Sequence, residues 1–308
     1  MKILRMTQND PAGTSVLFTD AINKYTEHTS RLITIAEKYE FNFKKDIHVP
    51  DIKNNDFEEI YQLLKDSDIY HFEILSDEEM TIGPFKVKDF IKGKRITHTH
   101  HGHPSYRSNP EKYRLKYKKL KRKVLVSTPD LLFGMPEATW QPNCVPVNDP
   151  LYMPTEERYP DFTVGHSPTR TDIKDTVTLL EAAHRAGVNV DIIMNTDHKE
   201  CLRRKQKCHV IFDHLQGYYG VSSLEGLSMG KPVIADLSEF VKRHIHEFVG
   251  DVRLPWFPVG YFWMFEKRFG ANVRGFIRRV EHDSRKFMEY HWSDKKVVNR
   301  LIQFYEGL

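Results

Sequence analysis

The segment Gly220-Val221-Ser222-Ser223-Leu224-Glu225-Gly226-Leu227-Ser228-Met229-Gly230-Lys231-Pro232-Val233-Ile234-Ala235 reads as the entrance to a helix followed by a buried strand. Ser222 or Ser223 can cap the helix, and Gly220 lets a ligand approach the backbone closely. The free N–H groups of such a helix end hold a phosphate. Glu225, predicted in the first turn, can then accept hydrogen bonds from paired sugar hydroxyls. The alternative is an ordinary capped helix with a dipole-favoured Glu. Upstream, Val164-Gly165-His166-Ser167-Pro168-Thr169-Arg170-Thr171-Asp172-Ile173-Lys174 reads as a strand end, a turn and a helix start, with Ile173, Val177 and Leu180 on one face. At the carboxyl end of a parallel strand, Arg170 with Lys174 beside it can neutralise a diphosphate. Two exposed cations of no special role are the plain alternative.

The amino-terminal half offers a different chemistry. His98, His100, His101 and His103 fall within six residues of Thr97-His98-Thr99-His100-His101-Gly102-His103-Pro104-Ser105-Tyr106-Arg107. Such density suggests metal, but strand alternation sends His98 and His100 to one face, away from His101. With no Cys or acidic cluster nearby, no metal site is expected. Downstream, residues 94–123 hold eleven cations and one anion, a balance of +10, so the rest of a chain whose total is +4 carries −6. Lys116, Lys118, Lys119 and Lys121, with His103 and Arg107, are candidates for an anionic partner such as DNA or membrane phosphate. A solvated helix face is the alternative. As a helix, the segment aligns Tyr113, Tyr117, Leu120 and Val124 as its packed stripe.

The two carboxyl-half segments, in this order, resemble the donor half of GT-B glycosyltransferases, particularly the large retaining class called family four. There an HSPT-R-K turn is followed some fifty residues later by a G-S-E-M-GKPV pattern. The resemblance spans residues 162–238. It implies that Arg170 and Lys174 hold the diphosphate of a nucleoside diphosphate sugar, that Gly220, Ser222 and Ser223 add helix-end contacts, and that Glu225 binds the ribose. The class usually carries a second Glu eight positions before this one, where the chain has Gly217. Asp213, at a predicted strand end, is the leading substitute, with a plain loop Asp as the alternative. His101-Gly102 resembles the strand-end HG of GT-B acceptor domains, which implies that His101 hydrogen-bonds the sugar or the reacting oxygens, with His103 as runner-up and a structural histidine as the alternative. Asn9-Asp10-Pro11-Ala12-Gly13-Thr14-Ser15 is similar in place to the glycine loop of these enzymes, with Gly13 as the candidate and the usual double Gly missing. Asp66-Ser67-Asp68 formally matches the DxD metal motif of the other glycosyltransferase fold, but its position between a helix and a strand makes it a turn. By resemblance no cofactor and no bound metal are needed, because cationic side chains and helix ends serve the diphosphate.

Elements that position these residues follow from periodicity. Short β-branched runs alternating with helical patterns argue for βαβ units and parallel sheets. The predicted strands are Lys2 to Thr7, Arg31 to Ile35, Ile69 to Leu75, Arg95 to His100, Val124 to Ser127, Phe162 to Gly165, Val190 to Met194, Val210 to Asp213 and Pro232 to Ala235. Helices are expected at 14–23, 57–64, 172–186, 197–206 and 222–229, with a helical tail from about 273 to 308. Pro142, Pro146, Pro150, Pro154 and Pro160 mark a linker. The expected division is an acceptor-side domain 1–150, a nucleotide-sugar domain 151–285 and a crossover helix 286–308. The fold class is α/β, two Rossmann-like domains facing a cleft.

Composition narrows the field. The chain has 308 residues, 40% hydrophobic, 12% aromatic and 29% charged, which suits about two globular domains. No apolar run approaches the roughly 18 to 20 residues of a bilayer span, and the start Met1-Lys2-Ile3-Leu4-Arg5 is no secretory signal. Three cysteines without a CxxC pair suit a reducing compartment. The expectation is a cytoplasmic enzyme, with peripheral attachment to the inner membrane face allowed by the basic segment. By resemblance it transfers a hexosyl or pentosyl group with retention, using His101, Arg170 and Lys174 as catalytic residues. Its acceptor is a hydroxylated base in DNA or a surface glycan or lipid. The rivals are a GT-B sugar-nucleotide epimerase and a non-catalytic nucleotide-sugar or nucleic-acid binding module.

Overall fold

Nine short extended runs in the first half build two sheets, β1 (Lys2–Thr7), β2 (Thr29–Thr34), β3 (Ile47–His48), β4 (Ile69–Glu73), β5 (Thr81–Ile82), β6 (Phe85–Lys86), β7 (Arg95–His100), β8 (Val124–Val126) and β9 (Thr139–Trp140). The computed structural model describes residues 1–38, 41–54, 56–258 and 283–308. Seven strands form one sheet in the order β3-β2-β1-β4-β7-β8-β9, every pair parallel, while β5 and β6 form a separate antiparallel hairpin. The strand order reverses between β1 and β4. β4 is buried at all five positions, as expected where both faces of a parallel sheet are covered. Helices α1 (Thr14–Tyr25), α2 (Glu58–Asp66), α3 (Pro104–Ser108) and α4 (Pro110–Leu120) connect the strands. Pro104 and Pro110 stand at first helical positions, where the missing N–H costs nothing.

A second parallel sheet follows, with β10 (Thr163–His166), β11 (Asn189–Ile192), β12 (Val210–Phe212), β13 (Val233–Ile234) and β14 (Trp256–Phe257) in the order β11-β10-β12-β13-β14. Its helices are α5 (Thr176–Ala186), α6 (His198–Lys207), α7 (Val221–Ser228) and α8 (Glu239–Val249). This is the doubly wound order in which the first and third strands flank the reversal. Gly226 lets α7 lie close on the sheet, since a Cβ there would come within 3.0 Å of Ile211 and Val233.

The chain falls into two compact units. The first holds residues up to 38, 43–144 and 294–308; the second holds 41–42, 145–258 and 283–293. The helix Asp294–Glu306 therefore belongs to the first unit, where it packs on α1 and buries Val297, Val298, Leu301, Ile302 and Tyr305 along one stripe. Residues 273–282 of the predicted helical tail lie outside the described residues. Residues 283–291 are helical, with Phe287 and Trp292 buried in the second unit.

Two packing expectations are overturned. The predicted helix 172–186 is broken: a short turn of 3₁₀ helix spans Thr171–Ile173, Asp175 takes a left-handed φ of 53°, and α5 starts afresh at Thr176. That break resets the register, so Val177 and Leu180 are 67% and 45% exposed, and Leu179, Ala182 and Ala183 face the core. The Asp175 carboxylate accepts the Leu215 N–H at 2.8 Å, which ties the break to the neighbouring loop. In α4, Tyr117 is buried but Leu120 is 40% exposed. The helix ends there, and Lys121, at φ 53°, turns the chain back toward β8 before Leu120 can reach the core.

Candidate functional site

In the second unit the strand order reverses between β10 and β12, and open α/β sheets bind ligands outside the carboxyl ends of strands at such a point. His166, the last residue of β10, braces this edge. Burial pushes its imidazole down to about 4, so the ring is neutral. Its Nδ1–H donates to the Phe212 carbonyl at 3.1 Å, and Nε2 accepts the Thr176 hydroxyl at 2.9 Å.

Asp213, immediately after β12, is the hub. Its Oδ2 accepts the Gly220 N–H at 2.5 Å and the Ser223 hydroxyl at 2.6 Å, and its Oδ1 lies 3.4 Å from the Lys174 ammonium. Burial alone would raise this carboxyl; His214, Lys174 and the two donated hydrogen bonds reverse that and hold it well below the usual carboxylate range. Gly220 fits closely here: a Cβ would lie 3.0 Å from Asp213 Oδ1 and 3.3 Å from Lys174 Nζ, so any larger residue would press on both side chains. Neither serine is the cap expected from the sequence. α7 begins at Val221, Gly220 holds the N-cap position, and no side chain caps it from there. The Asp213 carboxylate reaches over from the strand end instead. Ser222 faces the β10 turn, its hydroxyl 3.0 Å from that of Ser167.

Glu225 also departs from its expected place. With α7 starting at Val221 it lies beyond the first four residues, 4% exposed, and turned toward α6. One carboxylate oxygen is 2.8 Å from His198 Nε2, and the other pairs with the Lys205 ammonium. Burial would raise its pKa, but Lys205 and His198 bring it to about 2. Lys205 is itself 1% exposed and stays charged against its own burial because of Glu225. His198 and Lys205 were not singled out from the sequence; the available signal was their i, i+7 spacing on the face of α6 that buries Leu202.

Arg170 stands on the same turn as Lys174 but is engaged with Asp172, Nε to Oδ1 at 3.1 Å, with side chains 51% and 61% exposed. Gly217 has φ 83°, and Ser238 donates its N–H to the Gly217 carbonyl at 2.9 Å. A Glu at this position would carry the strain of a left-handed backbone, the physical counterpart of the missing second carboxylate.

In the first unit, Glu73 and His101 meet at the carboxyl ends of β4 and β7. His101 Nε2 is 2.7 Å from a Glu73 carboxylate oxygen, and the other oxygen pairs with Arg5. Arg5 donates to the Tyr305 hydroxyl at 2.9 Å, and His71 lies 2.5 Å from that hydroxyl and 2.6 Å from that of Thr99. Burial would raise the Glu73 carboxyl; Arg5, His71 and His101 hold it at about 2. Asp10 accepts the Val16 N–H at 3.0 Å at the start of α1. Gly13, with φ 64°, is packed so closely on Phe43 that a Cβ would sit 2.3 Å from its ring.

The remaining histidines have local duties. His98 stacks on Phe72 and lies 2.9 Å from the Arg122 guanidinium; His100 stacks on Tyr106 and lies 2.8 Å from the Tyr117 hydroxyl. Burial pushes both down, His100 to about 3. His103 caps α3 by accepting the Ser105 N–H at 3.1 Å. Arg107 pairs with Asp130 at 2.7 Å and donates to the Gly102 carbonyl. In the basic segment, Lys116 pairs with Asp77, Arg122 with Glu78 and Arg114 with Glu137, while Lys112, Lys118, Lys119 and Lys121 are exposed. Among the described residues, no group of three His, Cys, Asp or Glu side chains is arranged to hold a metal ion, and no helix is long and apolar enough to cross a membrane.

No family model and no curated protein matches the chain. Solved structures do. HepE from Anabaena in complex with UDP-glucose superimposes with a TM-score of 0.65 at 12% identity over 100% of both chains, and the same protein was also solved with UDP alone. A glycosyltransferase from Rickettsia africae gives 0.63 at 12% identity, covering 99% of this chain and 98% of that one. UDP-GlcNAc 2-epimerase from Neisseria meningitidis, bound to UDP-GlcNAc, gives 0.52 at 14% identity over 100% of both. At these identities the likeness establishes the fold: two Rossmann-like units of the GT-B type.

Proposed function

We propose that the chain is a GT-B glycosyltransferase that moves a sugar from a nucleoside diphosphate sugar, UDP-linked, to an acceptor hydroxyl. The observation that carries this reading is the cluster of Lys174, Asp213, Gly220 and Ser223 at the β10/β12 reversal, which sets an ammonium beside the start of α7. An ammonium and a helix N-terminus are the two groups that bind a diphosphate without metal. Arg170 is the second cation. Its pair with Asp172 is exposed, and such pairs are worth about 0–1 kcal/mol, so exchanging the carboxylate for a phosphate costs little. Glu225 accepts the ribose hydroxyls through the lone pairs that His198 and Lys205 leave over. No cofactor takes part.

The finer reading is transfer with retention, in which the departing diphosphate helps to deprotonate the acceptor hydroxyl and Lys174 and Arg170 stabilise its charge. The acceptor is taken by the first unit, where His101 hydrogen-bonds the reacting groups. UDP is favoured because HepE, alike over its full length, was solved with UDP and with UDP-glucose. The full-length likeness to an epimerase favours one rival, which product analysis separates: a transferase makes a glycoside and UDP, an epimerase returns a rearranged sugar nucleotide.

The test is calorimetric titration of UDP into the wild type, Lys174→Ala and Arg170→Ala, with melting curves as the folding control. Losing a charge-assisted hydrogen bond weakens binding by about 1.5–3 kcal/mol, roughly 10- to 150-fold. Unchanged UDP affinity in both variants rules out the diphosphate assignment.

A further inference from the structure

Glu73 is a charged residue at the end of a strand that is buried throughout, and both of its carboxylate oxygens are in use, one by Arg5 and one by His101. Arg5 and Glu73 are each 1% exposed. A buried ion pair of this kind is a poor source of stability, because the desolvation of two charges offsets their attraction. It makes sense where it fixes the geometry of something else. The partner that reaches solvent is His101, whose side chain is 16% exposed while that of Glu73 is fully buried.

The carboxylate decides which imidazole nitrogen carries the proton. Arg5, His71 and His101 keep Glu73 ionised at any pH at which the fold works, so it can only accept hydrogen bonds. His101 Nε2, 2.7 Å away, must therefore be the N–H. In the neutral ring Nδ1 is then the acceptor, and no described residue takes it up. His98 and His100, three positions and one position earlier on the same stretch, contrast with it: both are held within the core by ring stacking. Behind the carboxylate, the Tyr305 hydroxyl binds both Arg5 and His71, and Thr99 holds the far side of His71.

We propose that Glu73 is a positioning residue that fixes His101 as the Nε2–H tautomer, leaving Nδ1 as the hydrogen-bond acceptor for a sugar or acceptor hydroxyl, and that Tyr305 locks this arrangement through Arg5. The inference rests on the transferase reading for the identity of the hydroxyl. The tautomer and its cause do not depend on that reading. A hydroxyl that donates to Nδ1 is oriented with its oxygen lone pairs turned away from the ring. The proton stays on the hydroxyl oxygen in the bound state, and no bond is made or broken at His101.

Two measurements test it. In nucleotide-free protein labelled with ¹⁵N at histidine, two-bond ¹H–¹⁵N spectra, with His101→Gln to identify the resonance, should show a pyrrole-type Nε2 and a pyridine-type Nδ1. The reverse pattern overturns the inference whatever the enzyme's activity, and UDP titration shows independently whether the transferase reading survives. In turnover assays, Glu73→Gln should lower kcat at least tenfold and leave UDP affinity within twofold, because the nucleotide is assigned to the second unit. If Glu73→Gln does not fold, Tyr305→Phe carries the kinetic test: removing one hydroxyl should give a mixed His101 tautomer and a smaller fall in kcat. A folded Glu73→Gln, or Tyr305→Phe in its stead, with wild-type kcat and an unchanged His101 spectrum overturns the inference.

Discussion

Glu225→Gln separates two roles that a single carboxylate holds at once. The substitution keeps shape but leaves the Lys205 ammonium, 1% exposed, without its counter-charge. Breaking a buried pair by removing one partner costs about 3–5 kcal/mol. A second route gives a similar size: the carboxyl falls from 4.5 to about 2, and at about 1.36 kcal/mol per pH unit that difference is worth about 3 kcal/mol of folding stability at neutral pH. Since domains hold about 5–15 kcal/mol in all, the single variant should be visibly destabilised. Glu225→Gln combined with Lys205→Met removes both charges and should regain most of the loss, because neutral replacement of a buried pair is often without cost. Urea unfolding is followed by tryptophan fluorescence in a Trp140→Phe background, so that Trp256 and Trp292 report the second unit without a signal from the first. UDP is then titrated into the restored double variant. If the carboxylate grips the ribose, affinity stays roughly tenfold or more below wild type although the fold has recovered. The reasoning fails if Glu225→Gln matches the wild type within about 1 kcal/mol, or if the double variant is no more stable than the single.

Acid should act in two stages. His71, His100 and His166 are neutral in the fold with pKa values of about 3, 3 and 4 against an ordinary 6.5, so the unfolded chain takes up their protons first and stability begins to fall below pH about 6.5. Glu73 and Glu225, depressed from 4.5 to about 2, contribute stability that is complete above pH 4.5 and lost between there and pH 2; equal urea midpoints at about pH 7.5 and 5 would contradict the histidine stage, and equal midpoints at about pH 5 and 3 would contradict the carboxylate stage. The basic segment, with Lys112, Lys118, Lys119 and Lys121 outside ion pairs, should give duplex DNA or anionic vesicles a salt dependence set by about four cations, a slope near −3.6 in log affinity for DNA, cut to about −0.9 by Lys118→Gln, Lys119→Gln and Lys121→Gln together without change in UDP affinity. Absence of salt-dependent binding to either makes the helix face merely solvated.

The sequence carries the long elements because their periodicity is strong: β1 and β7 run over Lys2–Thr7 and Arg95–His100 as their β-branched runs imply. Two-residue strands such as β3, β9 and β14 have no period to read. Helix α8 has one, in Val241, Ile245 and Val249 after the capping Ser238. In the site, spacing marks Lys174, Asp213 and Gly220 because all three belong to strand-to-helix turns. It does not mark Glu73 with Arg5, or Glu225 with Lys205, whose partners are brought together from 68 and 20 residues away. A weaker signal existed: a cation inside Ile3-Leu4-Arg5-Met6 must be paired if that strand is buried on both faces. It names the need for a partner but not the partner.

The first unit is assembled from chain segments that a ribosome delivers far apart in time. Arg5, His71 and Thr99 emerge early, whereas Tyr305, which holds Arg5 and His71, comes about 200 residues after Thr99, a delay of about 10–40 s at roughly 5–20 residues per second. Through that interval the second sheet has its strands in hand while the first still lacks the helix that packs on α1. The amino-terminal unit is therefore the later of the two to be completed. A nascent chain stalled before Asp294 should stay protease-sensitive in its first 144 residues, and a separately supplied peptide of residues 294–308 should protect them.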